Sequence, residues 1–342
     1  MSDLLLKGFE VEMFTGRKTG ENVGVASELT HDLPQFLKEP DNRNIEYLTI
    51  PQSKYNGLLQ SLIEPRRTLR NWLEPRNLTL LPGSTLSLGD SNKFERSDPS
   101  NSYHQLIENT YGTRIVTASV HINIGINDLP FLFSALRLVR CEAALFLSLS
   151  ASSPFLDGDL TGSHSQRWLQ FPRTPEKVPL FNDHDHYVNW MEENLSKGMM
   201  KNERHFWTSV RPNGPKRPYD LNRIELRICD LMTDCDLLIA VTSLIELRIL
   251  SLLRNQNSFD PFLRSQLTPT ELQGLCDDNE LMASRNSLDS TLNHWQDGMS
   301  ILARDWIASL LDEVRPLAVE LNLLNKLKPI ELILDEGNQA IK

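Results

Sequence analysis

Residues 8–13 read GFEVEM, and this short stretch limits the chain more than any other. Side chains alternate along an extended strand, so Glu10 and Glu12 leave the same face roughly 6.5–7 Å apart. Two carboxylates at that separation repel each other unless water or a cation lies between them. The face is therefore either wet or built to hold metal.

Three further segments share the habit. In IVTASVHINIGI, Val116, Ala118, Val120, Ile122, Ile124 and Ile126 alternate with Thr117, Ser119, His121, Asn123 and Gly125, which predicts a strand with one apolar face and an imidazole and an amide on the other. In NRIELRICDL, Ile224, Leu226 and Ile228 oppose Arg223, Glu225 and Arg227. In RNIEYLTI, Asn44 and Glu46 lie opposite Ile45, Tyr47 and Thr49. Any one such face could simply meet solvent, as antiparallel sheets allow. Together the four carry Glu, His, Asn and Arg in place of the Lys and Thr of a solvated sheet. If they share a sheet, their carboxylates and imidazole converge on one cavity.

Oxygen donors with little thiolate suit Mg²⁺ or Mn²⁺. Such cations beside arginines hold polyphosphate and neutralise the charge that builds up as a phosphoryl group moves, which points to ATP. Neither GxxxxGK[ST] nor GxGxxG follows any candidate strand. PGSTLSLGD contains Gly83 and Gly89 without the lysine and reads as a turn. Metals and guanidinium groups would have to hold the nucleotide.

The rest of the chain frames this site. With 342 residues, 40% hydrophobic and 23% charged, it can bury a substantial core. A net charge of −10 argues against a nucleic-acid surface and favours small-molecule partners. The first residues, MSDLLLKGFE, hold an apolar run of only three, too short for a secretory leader, so the mature protein is expected to start here. FLFSALRLVRCEAALFLSLSA is interrupted by Arg137, Arg140 and Glu142 and reads as a buried helix over 129–149, with no membrane span implied. Cys141, Cys229, Cys235 and Cys276 form no CxxC pair, as expected of reduced thiols in a cytoplasmic protein.

Periodicity divides the chain into a strand-rich part over about 1–232 and a helical part over about 233–342, with no low-complexity linker between them. A single domain spanning 1–342 is expected, the helical part packed on the core. Helices are predicted over 58–73 and 234–254, and TPTEL announces another, with Thr268 as cap, Pro269 at the first position and Glu271 completing a capping box. From Ser287 to Leu321, apolar residues such as Leu292, Trp295, Met299, Leu302, Trp306 and Leu310 recur at helical spacing and read as a core stripe.

GFEVEM, RNIEYLT, LTLLPGSTLSLGD, YGTRIVTASVHINIGI, LSLSASSPFLDGDLTGSHSQRW and SVRPNGPKRPYDLNRIELRICDL together resemble the cyanobacterial glutamate–cysteine ligases of the carboxylate-amine ligase group. The resemblance spans roughly residues 5–250. It implies an α+β, glutamine synthetase-like fold, a curved antiparallel β-sheet forming a funnel with helices on its outer side. It also implies a reaction in which ATP phosphorylates the γ-carboxylate of L-glutamate and the amine of L-cysteine displaces phosphate, giving γ-glutamylcysteine, the first step of glutathione synthesis. Position by position, it implies Glu10, Glu12, Glu46, His121 and Glu225 as metal ligands and Arg227 as the group that meets the transferred phosphoryl. Glu225 and Arg227 form the family's E-x-R. Asn123 stands where the HxHxG pattern has its second histidine, which unsettles any phosphate contact from that position.

Arg167, Arg211 and Arg114 are candidates for phosphate or the glutamate α-carboxylate, structural ion pairing being an equal alternative for each. Glu39, before Pro40, is a weaker candidate ligand, and His164, His184 and His186 are assigned no role. Monomer and homodimer are both compatible with the sequence. Competing readings are a ligase with another acceptor amine, a guanidino-type phosphotransferase on the same sheet architecture, and a non-catalytic binding module.

Overall fold

The computed structural model describes residues 4–342. Seven strands make one antiparallel sheet: β1 (Lys7–Gly16), β2 (Leu37–Lys38), β3 (Asn44–Leu48), β4 (Thr79–Leu81), β5 (Val120–Gly125), β6 (Val210–Asn213) and β7 (Arg223–Leu226). Their order is β2-β3-β1-β5-β7-β6, with β4 paired to the far end of β1. The alternation read from sequence decides which side is buried. Phe9, Val11 and Met13 of β1, Ile45 and Tyr47 of β3, Val120, Ile122 and Ile124 of β5, and Ile224 and Leu226 of β7 all sink into the core.

Helices cover that apolar side: α1 (Leu58–Leu73), α2 (Leu129–Ser150), α3 (Cys235–Arg254), α4 (Pro269–Asn286) and α5 (Ala303–Glu320) are the longest. One continuous cluster of buried apolar residues runs from Phe9 and Ile122 on the sheet through Leu138 and Leu244 to Trp306 and Leu310. The start of α4 carries the expected capping box, with Thr268 and Glu271 each accepting from the other's backbone N–H.

The charges that interrupt α2 are buried and paired. Arg137 meets Asp260 at 2.6 Å, Arg140 meets Asp277 at 2.6 Å, and Glu142 meets Arg248 at 2.6 Å. They anchor α2 to later parts of the chain. Among the described residues no helix is long and apolar enough to cross a membrane, and all four cysteines are unpaired.

Three expectations need correcting. The stripe over 287–321 is not one helix: Thr291–Asn293 pairs with Ser300–Leu302 in a hairpin, and helix begins only at Ala303. Gly298, at φ +74°, turns the chain there. Leu292, Trp295, Trp306 and Leu310 are buried as expected, but Met299 at the hairpin tip is 69% exposed and Leu302 45%. The first two thirds interleave strands with long helices. The histidine strand is also shorter than its alternation, because residues 112–115 wind into a 3₁₀ turn and regular pairing starts at Val120.

Candidate active site

Antiparallel register lays the polar residues of the open face in rows. Glu12 stands opposite Glu46 across β1 and β3, and Glu10 opposite His121 across β1 and β5. Asn123 faces Glu225, and Glu225 faces Arg211. The strands therefore do share one sheet, and their chemistry collects at its centre.

Two groups result. In the first, Glu10, His121 and Glu225 each offer a ligand atom, and these atoms lie within 4.8 Å of one another. His121 Nδ1 is 2.9 Å from Glu10 Oε2 and 3.6 Å from Glu225 Oε1. Burial and the Glu225 charge push Glu10 up, but the hydrogen bond from His121 and the Arg227 charge outweigh them and hold it below its ordinary range. Burial also works against Glu225, yet Arg211, Arg227 and His121 keep its carboxyl far below that range. It is a firmly ionised, fully buried carboxylate.

The second group is Glu12, Glu39 and Glu46. Burial, then the Glu12 charge, pushes Glu39 up to about 8. Burial, then Glu39, pushes Glu46 well above its ordinary value, and the two carboxyls share a hydrogen bond. Ser119 links the groups, its hydroxyl donating to Glu12 Oε2 at 2.8 Å and lying 3.1 Å from His121 Nε2. These donors fit a hard divalent cation, being carboxylates and one imidazole with no thiol among them. Two buried carboxyls, each raised by burial and then by the other acids around it, mark a place where positive charge is wanted.

A cleft of about 720 Å³ opens above Glu10, Glu12, Glu39, Glu46, His121 and Arg227. Ile107, Ile115, Phe171 and Trp207 give it an apolar wall, and Lys38 and Arg204 stand among its lining residues. Glu10 also borders a second cavity of about 560 Å³, which Asn123, Arg223, Phe131 and Leu253 help to line. One carboxylate thus stands between two chambers.

The candidate arginines separate. Arg227 lines the cleft and donates to Glu225 at 2.5 Å. Arg211 does not line the cleft: its guanidinium clasps Glu225 through two hydrogen bonds of 2.8 and 3.1 Å, so its place is structural. Arg167 borders the cleft, but its two Nη groups donate to the Ile228 and Arg227 carbonyls, both at 2.9 Å. It props the backbone behind Arg227. Asn123 lies on the second chamber's side, donating to Glu10 Oε1 at 3.1 Å and accepting from Arg223 at 3.0 Å. Arg114 is exposed, its Nε donating to the Tyr111 carbonyl at 3.3 Å.

Glu39 comes to the centre despite its loop position. Thr117 and Ser119, also in the cleft, fall on the polar side of the alternation and could have been picked out by that period. Asn202, Arg204 and Trp207 come from a loop over the cleft with no period to announce them.

A model of the family described as glutamate-cysteine ligase family 2 matches residues 6–341. A Leifsonia xyli protein provisionally named glutamate–cysteine ligase 2 is 26% identical over 332 residues, covering 93% of this chain and 84% of the relative. A Rubrobacter xylanophilus protein provisionally named glutamate–cysteine ligase 2-1 is 27% identical over 347 residues, covering 97% of this chain and 87% of the relative. Among solved structures, a glutamate–cysteine ligase from Francisella tularensis in complex with AMP matches with a TM-score of 0.78 at 14% identity, over 99% of this chain and 84% of that one. A bifunctional glutathione synthetase from Pasteurella multocida matches with a TM-score of 0.70 at 14% identity, over 99% of this chain and 49% of that one. At such identities the structural matches show the fold, which is the glutamine synthetase-like fold of these ligases.

Proposed function

The chain belongs to glutamate–cysteine ligase family 2, and from that premise we propose that it joins the γ-carboxylate of L-glutamate to the amine of L-cysteine at the expense of ATP. The γ-phosphoryl group of ATP passes to a γ-carboxylate oxygen, giving γ-glutamyl phosphate and ADP. The amine then attacks the acyl carbon, the C–O bond to phosphate breaks, the nitrogen gives up a proton, and γ-glutamylcysteine and phosphate leave. The strand-rich and helical parts act as one catalytic unit.

The observation that carries this reading is the convergence of Glu10, His121 and Glu225 beside a cleft-facing Arg227. Glu10, His121 and Glu225 would hold one divalent ion, Mg²⁺ by preference, and Glu12, Glu39 and Glu46 a second. Bound there, such ions would screen the phosphates and the charge that develops during transfer. Arg227 meets the transferred phosphoryl oxygens with a fork that stays charged in any setting. Glu225 orients Arg227, and Arg167 and Arg211 hold both from behind. The nucleotide takes the second chamber, its base against Phe131 and Leu253 and its phosphates passing Asn123 and Arg223 toward Glu10. The amino acids take the larger cleft, where Arg204 stands ready for a carboxylate.

A coupled assay for ADP release tests the reading, run with glutamate alone and with glutamate plus each candidate amine, with mass analysis of the product. Cysteine-dependent release with a γ-glutamylcysteine product is expected. Release that ignores cysteine but responds to another amine assigns a different acceptor. The apolar wall of Ile107, Ile115, Phe171 and Trp207 favours that second reading, since pocket shape and not the metal cradle selects the nucleophile. A phosphorylated substrate with no amide product indicates a phosphotransferase instead.

A further inference from the structure

Behind the sheet, on the side away from the carboxylates, α1 and the loop after β1 enclose a cavity of about 500 Å³ that no step above uses. Lys18, Arg66, Arg67 and Arg70 line it, against a single lining carboxylate, Glu74. Arg66 is buried, with Nε donating to the Tyr47 hydroxyl at 2.9 Å and Nη1 to the Thr233 carbonyl at 2.7 Å. Arg67 is paired with Glu64 at 2.6 Å. Among the described residues Lys18 and Arg70 have neither a hydrogen-bond nor an ion-pair partner for their side chains. The nearby Asp234 caps α3 by accepting from the Asp236 N–H.

This arrangement is costly as it stands. Arg66 and Arg70 lie four residues apart on one helix and Arg67 and Arg70 three apart, spacings at which like charges destabilise a helix. A chain carrying a net charge of −10 has carboxylates to spare, yet only one lines this cavity. A bound anion would supply the missing countercharge, and guanidinium forks match phosphate and carboxylate oxygens in two-pronged fashion. The concave shape and closely grouped cations suit a compact molecule and not a nucleic-acid backbone.

We propose that this cavity is a second, metal-independent binding site for a small polyanion, one that carries two or more adjacent phosphate or carboxylate groups. Its occupant touches the catalytic face through one strand. Arg66 fixes Tyr47, whose neighbour in β3 is Glu46, so occupancy bears on the placement of that carboxylate.

Titration calorimetry of the intact chain, stripped of metal and then freed of chelator by gel filtration into metal-free buffer, tests this, with inorganic pyrophosphate and citrate as separate probes. One equivalent of probe is expected to bind, and the Lys18→Ala/Arg70→Ala protein is expected to bind at least about tenfold more weakly, the loss usual for a charged hydrogen bond. Both residues are exposed, so circular dichroism of the variant should match the parent. Arg227→Ala should leave the affinity unchanged. Binding of pyrophosphate alone assigns a phosphate-bearing ligand, binding of citrate alone a carboxylate-bearing one, and binding of both a site selected by charge. Binding of neither probe, equal affinity in the double variant, or loss in Arg227→Ala would overturn the proposal. None of these outcomes depends on which reaction the catalytic face performs.

Discussion

Glu39, buried beside the Glu12 charge, holds a proton to a higher pH than an unfolded chain would. Its ordinary pKa is 4.5, and burial with the Glu12 charge raises it to about 8. Between those values the native state binds more protons than the unfolded state, so this group makes the metal-free protein less stable as pH rises, with the penalty complete above the folded value. The cleft admits some water, which moderates the effect to on the order of a few kcal/mol. Urea midpoints measured in EDTA at about pH 6 and about pH 8.5 should fall across that window, and Glu39→Gln should lessen the fall while Glu46, raised first by burial, keeps part of it. A midpoint that rises instead, or a fall undiminished in Glu39→Gln, contradicts the raised Glu39 carboxyl. Divalent cation should restore stability mainly at the higher pH. For the metal cradle itself, Glu12→Gln or His121→Ala is expected to abolish ATP turnover with unchanged helical circular dichroism, and near-normal rates in either variant at modest Mg²⁺ would rule out the assigned ligands. At this scale the sequence was legible wherever a period of two applied: Glu10, Glu12, Glu46, His121, Glu225 and Arg227 all reach the open face. It was least legible for arginines. Nothing in the spacing of Arg167 or Arg211 distinguishes a guanidinium that faces a phosphate from one that clasps a neighbouring carbonyl or carboxylate.

Elements were legible where a local signal and burial agreed. The helices over 58–73, 129–150 and 235–254 match their apolar runs, since long buried helices leave little choice of period. The stretch after Ser287 misleads because a short, mostly exposed hairpin happens to space its apolar residues three or four apart, and Trp295 and Trp306 occupy core sites from different elements. What binds the elements into one body includes contacts that no periodicity predicts. Lys7, on the apolar side of β1, meets Glu246 of α3 at 2.9 Å with both side chains fully buried. Tyr55 donates to the same carboxylate at 2.6 Å, and so does the Leu5 N–H at 2.6 Å. Removing one partner of such a pair strands the other without countercharge. Glu246→Ala is therefore expected to cost about 3–5 kcal/mol in urea denaturation. The apolar pair Lys7→Met/Glu246→Leu should recover much of that loss, because it strands no charge. If the double variant is as unstable as the single one, the ion pair contributes more than it costs to desolvate.

Across the whole molecule, the sheet divides space as well as chemistry. Its apolar side is filled by helices, its open side carries the larger cleft, and the second chamber, bordered by Phe131 of α2 and Leu253 of α3, shares Glu10 with that cleft. That layout follows from register: sliding β5 by one residue against β1 would send His121 into the core and Ile122 into the cleft. The fold class was accessible from the motifs along the chain, but the partition was not, because the cleft draws on residues scattered from Glu10 to Arg227 and the second chamber on residues from Leu4 to Leu253. In the proposed ligase the partition has a kinetic signature. Arg223, hydrogen-bonded to Asn123 at 3.0 Å in the second chamber, should govern nucleotide affinity, whereas Trp207 in the larger cleft should govern the acceptor amine. Arg223→Ala is expected to raise the KM for ATP about tenfold, the loss typical of a charged hydrogen bond, with the KM for glutamate and the amine changed less than about threefold. Trp207→Ala should show the reverse, weakening the amine and sparing ATP. Initial-rate measurements varying each substrate in turn decide it. If Arg223→Ala instead weakens the amine while ATP is unaffected, the two chambers have been assigned the wrong way round, although the carboxylate cradle between them would keep its role.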